Sequence, residues 1–122
     1  MRLKRNRRIQ IYHHPLKVGK DNEGGPNKSY GTGKGLYAIV WPAASKLQIA
    51  QYGNEINRIQ NIKLEGKYTV TYDKGLGTEV YRIGDVLLKE NDGIRLYEEK
   101  KPDYYIISIK TYKNLMLEVK KL

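Results

Sequence analysis

"YYIISIKTY" (Tyr104–Tyr112) and "LMLEVKKL" (Leu115–Leu122) are two β-rich runs separated only by Lys113-Asn114. A gap of two residues between such runs predicts a hairpin that closes the chain, although Lys-Asn is a weaker type I′ signal than Asn-Gly. The same period-two pattern recurs upstream. "KYTVTY" (Lys67–Tyr72) alternates Tyr68, Val70 and Tyr72 with Lys67, Thr69 and Thr71, as a half-buried antiparallel strand does. "EVYRIGDVLL" (Glu79–Leu88) reads as a short strand, a Gly84-Asp85 turn and a second apolar stretch. "LYAIVW" (Leu36–Trp41) is ended by Pro42, which cannot donate to a ladder, and "RIQIY" (Arg8–Tyr12) puts Ile9 and Ile11 on one face. About seven short strands with turn signals between them predict a mostly β chain, a small single-domain barrel or sandwich over residues 9–122.

Two segments break the pattern. In "ASKLQIAQYGNEINRIQNIKL" (Ala44–Leu64), Ile56, Ile59 and Ile62 recur every third residue, while Leu47–Ile49 and Ile62–Leu64 alternate as strands do. Ser45 is placed to cap a helical turn that Gly53 ends, so at most a short helix is expected. Lys17–Lys34 is the other exception. It carries Gly19, Gly24, Gly25, Gly31 and Gly33 with Pro26 and almost no apolar residue, and it reads as a long mobile loop.

The 122 residues include 23 Lys or Arg and 13 Asp or Glu, a formal net charge of +10. One core can be buried at this length without staples. The charge is uneven: residues 1–40 hold nine basic and two acidic residues, residues 41–100 nine of each, and residues 101–122 five and two. Arg2, Lys4, Arg5, Arg7 and Arg8 form a self-repelling block that reads as a solvated tail over residues 1–8 or a contact for a polyanion such as DNA. The absence of Cys removes thiolate metal sites, disulfides and Cys nucleophiles. No apolar run approaches the roughly 20 residues of a membrane helix, and no apolar segment follows the basic N-terminus as in a signal peptide. These features predict a soluble intracellular protein with no membrane contact.

Catalytic motifs do not assemble. "GTGKG" (Gly31–Gly35) has Lys28 where a phosphate loop needs its first Gly, and Gly35 where it needs the magnesium-holding hydroxyl. It reads as a glycine hinge. Asp73, Asp85 and Asp92 each sit beside a turn, where such side chains bond local backbone. The adjacent His13 and His14 do not by themselves make a metal site, and no nucleophile has a partner. No catalytic residue, metal or cofactor is therefore expected. The aromatics are eleven Tyr and one Trp with no Phe, a set suited to surfaces that are apolar on one face and wet at one end. Such tyrosines edge a core, line contacts between subunits, or stack on single-stranded bases where they are exposed beside basic residues.

The order "YG" (Tyr52-Gly53), "NRIQNIKLEGKY" (Asn57–Tyr68), "RIGDVLL" (Arg82–Leu88) and "PDYYIISIKTYKNLMLEVKKL" (Pro102–Leu122) resembles the small head-closure, or head–tail joining, proteins of tailed phages and Gram-positive prophages. The resemblance covers roughly residues 36–122 and is strongest in the C-terminal stretch, and its motifs are structural. It implies a β-barrel whose copies form a ring in the phage neck, between the portal or adaptor and a tail-completion or tail-tube protein, after assembly in the host cytoplasm. It also implies that the ring closes the DNA exit and docks the tail. On that reading Lys17, Lys20, Lys28, Gly31, Gly33 and Lys34 belong to an arm or plug loop. Tyr52, Tyr68, Tyr81, Tyr104 and Tyr105 become candidates for the subunit interface, and Arg2, Lys4, Arg5, Arg7 and Arg8 for transient DNA contact. The strong positive charge departs from the picture, because a basic lumen would brake passing DNA. A nucleic-acid-binding barrel using the basic N-terminus and exposed Tyr is the alternative.

Overall fold

A computed structural model describes residues 8–20 and 26–122 of the chain. Eleven strands run in the order β1 (Ile9–His14), β2 (Leu16–Lys20), β3 (Pro26–Tyr30), β4 (Lys34–Pro42), β5 (Ile59–Leu64), β6 (Tyr68–Asp73), β7 (Thr78–Ile83), β8 (Val86–Leu88), β9 (Gly93–Arg95), β10 (Tyr104–Thr111) and β11 (Leu115–Lys121). One helix, α1 (Lys46–Tyr52), and a 3-10 turn (Gly53–Arg58) lie between β4 and β5. Six strands close a barrel in the order β1-β4-β5-β11-β10-β9, with every pairing antiparallel. The chain is thus mostly β with one short helix, as the period-two pattern predicts. No helix among the described residues is long and apolar enough to cross a membrane.

Alternation fills the barrel. Ile11, Ala38, Ile62, Leu64, Ile94, Ile106, Leu115, Leu117 and Val119 are buried in one aliphatic cluster. A three-stranded sheet, β6-β7-β8, adds Tyr81, Ile83, Val86 and Leu88 to the same cluster. The turn joining β7 to β8 places Gly84 at φ 58, a backbone conformation natural for glycine. Its neighbour β6 differs from the half-buried strand that its alternation predicts. Only Tyr68 packs towards the core, and Thr69–Asp73 are exposed, because the aliphatic cluster reaches the face of β6 only at Tyr68; among the described residues β6 pairs with β7 alone.

The closing hairpin forms with one more residue in its connection than the sequence suggests. Thr111 pairs with Leu115, leaving Tyr112, Lys113 and Asn114 as the turn, and a register shift lies between Ile106 and Ser108. Such a bulge adds twist that helps a sheet curve shut. Helix α1 begins at Ser45, whose hydroxyl accepts from the Gln48 amide in a capping box, and Gly53 ends it. The three-residue spacing of Ile56, Ile59 and Ile62 is not a helical face, since it runs from the 3-10 turn into β5.

The larger correction concerns residues 17–34. Residues 21–25 lie outside the described residues, but Lys17–Lys20 and Pro26–Tyr30 are not a loop: β2 and β3 pair from Leu16↔Tyr30 to Lys20↔Pro26, and Lys34 already belongs to β4. Pairing of the two segments satisfies their backbone groups, so an arm of two strands can form with few apolar side chains. At the arm's base the Gly31 amide donates to the Pro15 carbonyl at 2.8 Å.

Leu117→Ala, which deletes side-chain volume at the barrel centre, is expected to cost about 2–5 kcal/mol in denaturant unfolding. The exposed Tyr72→Ala is expected to stay within about 0.5 kcal/mol.

Candidate functional site: a basic cleft above a buried carboxylate

Strand β1 carries the site because its alternation runs on past Ile11. His13 follows Ile11 onto the inward face and is buried, while Ile9 at the strand's start is exposed; Tyr12 and His14 take the other face, where His14 is also buried. Across the seam, β9 pairs Arg95 with Tyr12, Ile94 with His13 and Gly93 with His14. The residue before β9 is Asp92, fully buried. Its carboxylate accepts from His13 Nε2 at 2.6 Å, the Leu16 amide at 2.9 Å and the Lys89 amide at 3.2 Å, and it also pairs with Lys89 Nζ. Lys89 Nζ donates to the Leu16 carbonyl as well, at 3.2 Å. Burial alone would raise the Asp92 carboxyl, but hydrogen bonds from His13, Leu16 and Lys89 outweigh it and hold the group below its ordinary value. One carboxylate therefore ties β1, the root of the arm and the turn before β9.

Above this tie lies an open cleft of about 740 Å³ at the root of the arm. Lys17, Arg95, Lys100 and Lys101 line it, with His14 and Tyr30, and no acidic residue does. His14 Nδ1 lies 2.9 Å from the Gly31 carbonyl, which only accepts, and Arg95 Nε, which only donates, is 3.3 Å from His14 Nε2. These partners select the neutral imidazole with its proton on Nδ1. The Arg95 guanidinium also stacks 3.9 Å over the Tyr12 ring and donates to the Glu99 carbonyl. All of these partners are uncharged, so Arg95 is held in place without neutralisation among the described residues.

Glycines make the cleft possible. A Cβ on Gly33 would lie 2.6 Å from His14 Nε2, and one on Gly31 would lie 3.1 Å from Lys17 Cε. The segment 96–103 is folded onto the barrel by Asp103, which accepts from the Leu96 and Tyr97 amides at 2.8 and 3.0 Å. Pro102 packs where a Cβ on Gly93 would sit, 2.8 Å away. The carboxylates of Asp92 and Asp103, which flank β9 and the segment after it, are thus occupied by backbone and internal partners. Glu98 and Glu99 line a neighbouring hollow together with Tyr97, Lys100 and Lys101.

A second polar cluster holds α1 to the barrel. Gln48 Nε2 donates to Asn61 Oδ1 at 2.6 Å and to Glu118 Oε2 at 2.8 Å, and Lys110 Nζ lies 3.3 Å from Glu118 Oε1. Burial alone would raise Glu118, but Gln48, Tyr52 and Lys110 hold it below its ordinary value. The Tyr52 hydroxyl is pushed up to about 12 by burial and by Glu118.

The residues singled out from sequence are dispersed by the fold. Lys17, Gly31 and Gly33 meet at the cleft, while Lys34 Nζ instead reaches the Asp85 carbonyl at 3.3 Å. Arg2, Lys4, Arg5 and Arg7 lie outside the described residues, as do the side chains of Lys20 and Lys28. Arg8 faces Glu65 at 3.9 Å on the surface. Among the interface candidates, Tyr81 and Tyr104 are corrected: their rings are buried in this chain's own core, where β-strand alternation puts them. Tyr68 donates to the Tyr112 carbonyl, and Tyr52 and Tyr105 are half-buried. Sequence reading gave His13 and Asp92 no site role and passed over Arg95, Lys100 and Lys101. Extending the alternation of β1 by two residues would have found His13. Among the described residues no hydroxyl is hydrogen-bonded to His13, and no cluster of His, Asp and Glu could hold a metal.

Asp92→Asn would turn an amide donor towards groups that donate, and a loss of about 3–5 kcal/mol is expected by denaturant unfolding. Asp92 and Glu118 both have carboxyls held below their ordinary values of 3.8 and 4.5. The unfolded chain therefore binds protons more readily than the folded one, and their stabilisation is complete above those values and lost as pH falls through the lower folded ones. Thermal unfolding should show a melting temperature that declines below pH 4.5, with a shallower decline in the Glu118→Gln variant. The chain matches no protein-family model, no curated protein and no solved structure, so the cleft and the tie beneath it are read from their own residues.

Proposed function

We propose that the chain is a structural protein of the phage neck, a head-closure subunit that assembles with copies of itself into a ring between portal or adaptor and tail. The resemblance of residues 36–122 supplies the context, and one structural observation carries the proposal: the free edge of β6. Among the described residues its six residues pair only with β7, and Val70 and Tyr72 are 40% and 64% exposed. A strand edge of this length with exposed apolar side chains is a template for another chain, and natural proteins usually blunt such edges or pair them. A closed ring also needs two different complementary surfaces on each subunit. A second apolar surface exists on other elements, where Trp41, Leu47 and Tyr112 surround a hollow of about 240 Å³. In this reading β6 of one copy seats against a neighbour, and the arm β2–β3 reaches towards the axis or the adjacent ring. The interface then falls to Val70, Tyr72 and Leu47 rather than to Tyr81 and Tyr104.

The test is the state of assembly. Light scattering and electron microscopy at high protein concentration, with and without portal–adaptor particles, are expected to show rings. Val70→Lys should abolish them while leaving the melting temperature of the monomer unchanged. A chain that stays monomeric under all these conditions and is missing from purified virions would refute the proposal.

A further inference from the structure

We propose that the cleft at the root of the arm, together with Tyr97, is a binding site for single-stranded nucleic acid. The inference does not rest on the ring reading, since a monomer could bind through this face. Lys17, Arg95, Lys100 and Lys101 converge on one open surface, and none of them has an acidic partner among the described residues. Gathering four cations costs repulsion that fold stability does not require, because the tie beneath them is already complete through Asp92.

A cleft of about 740 Å³ lined by four cations suits a chain of phosphates crossing it. Arg95 is the fixed point, clamped by Tyr12, His14 and the Glu99 carbonyl. The three lysines surround it on longer, adjustable stems.

Bases need a platform beside the charges, and Tyr97 provides it. The residue is 66% exposed, yet its ring is held edge-to-face against that of the buried Tyr104 with centroids 6.2 Å apart. Lys100 and Lys101 belong both to the cleft and to the hollow that contains Tyr97. An exposed, positioned aromatic flanked by a basic groove is how proteins hold single strands, with phosphates in the groove and bases on the ring. A duplex keeps its bases stacked on one another and could use only the charges. An acidic peptide could use the lysines but gains nothing from a bare tyrosine face.

The experiment is fluorescence anisotropy of the full chain with a labelled oligothymidine, repeated from about 50 to about 200 mM salt. The set comprises the wild type, the triple variant Lys17→Gln, Lys100→Gln, Lys101→Gln, and Tyr97→Ala. Each is also placed in a background with Arg2, Lys4, Arg5 and Arg7 changed to Gln, which separates the cleft from the N-terminal block. In both backgrounds the triple variant should reduce the slope of log affinity against log salt by about 2, as expected for three lost phosphate contacts on a single strand. Tyr97→Ala should weaken binding about five- to a hundredfold with little change in that slope, the signature of lost stacking. Unchanged melting temperatures will show that the variants remain folded. The proposal is overturned if the triple variant leaves the slope unchanged in both backgrounds. It is also overturned if Tyr97→Ala binds like the wild type, if a duplex binds equally well, if a poly-glutamate peptide competes as well as oligothymidine, or if inorganic phosphate at matched ionic strength displaces the strand.

Discussion

The carboxylate of Asp92 is the point on which three parts of the molecule depend. A buried carboxylate is tolerable only when its lone pairs are occupied, and here four donors from β1, the start of β2 and the preceding turn occupy them. Those donors sit at the seam where β9, only three residues long, must close the barrel against β1. A seam so short has few ladder bonds of its own. The hydrogen bonds to Asp92 add to it and fix the direction in which the arm leaves the barrel. Tie, seam and arm root are thus one cooperative unit, and the cleft above inherits its geometry from that unit.

The second tie, through Gln48, Asn61 and Glu118, serves the opposite wall in a related way. Asn61 and Glu118 are cross-strand partners on the outer face of β5 and β11, and the capped helix brings Gln48 down onto them. A polar trio under a seven-residue helix holds in one place an element too short to be stable alone. Both walls therefore use a buried acid to pin an insertion, one a hairpin and one a helix, onto an aliphatic barrel. Such sites favour one arrangement over its alternatives because a displaced insertion would strand a charge.

What could be read from the residues in order was what depends on local pattern. The period-two runs became strands, Ser45 and Gly53 bounded the helix, and Gly84-Asp85 made its turn. Harder to read was whatever depends on a partner distant in sequence. Asp92 looks like any Asx residue before a glycine, and nothing local says that His13, 79 positions away, will donate to it. Lys100 and Lys101 look like solvated charges until Asp103 folds their segment against the seam. The arm misled for a different reason. Glycine and polar residues signal loops because they bury little, yet two such segments can pair through backbone alone. The alternation in β6 was real, but exposure is decided by what packs over the strand's face, and the core cluster reaches that face only at Tyr68.

The arm also has a topological consequence. It leaves from the end of β1 and returns at the start of β4, two strands already paired at His13↔Lys34, and its base is fastened by the Gly31–Pro15 hydrogen bond. The barrel therefore closes the loop before the arm's own length matters, and lengthening the arm adds only a slowly growing entropic term. Segments of very different length and sequence could be carried at this position with the barrel unchanged. The arm is in that sense an exchangeable module, a place where descendants of this chain can diverge in reach and contact, and where a foreign peptide could be displayed.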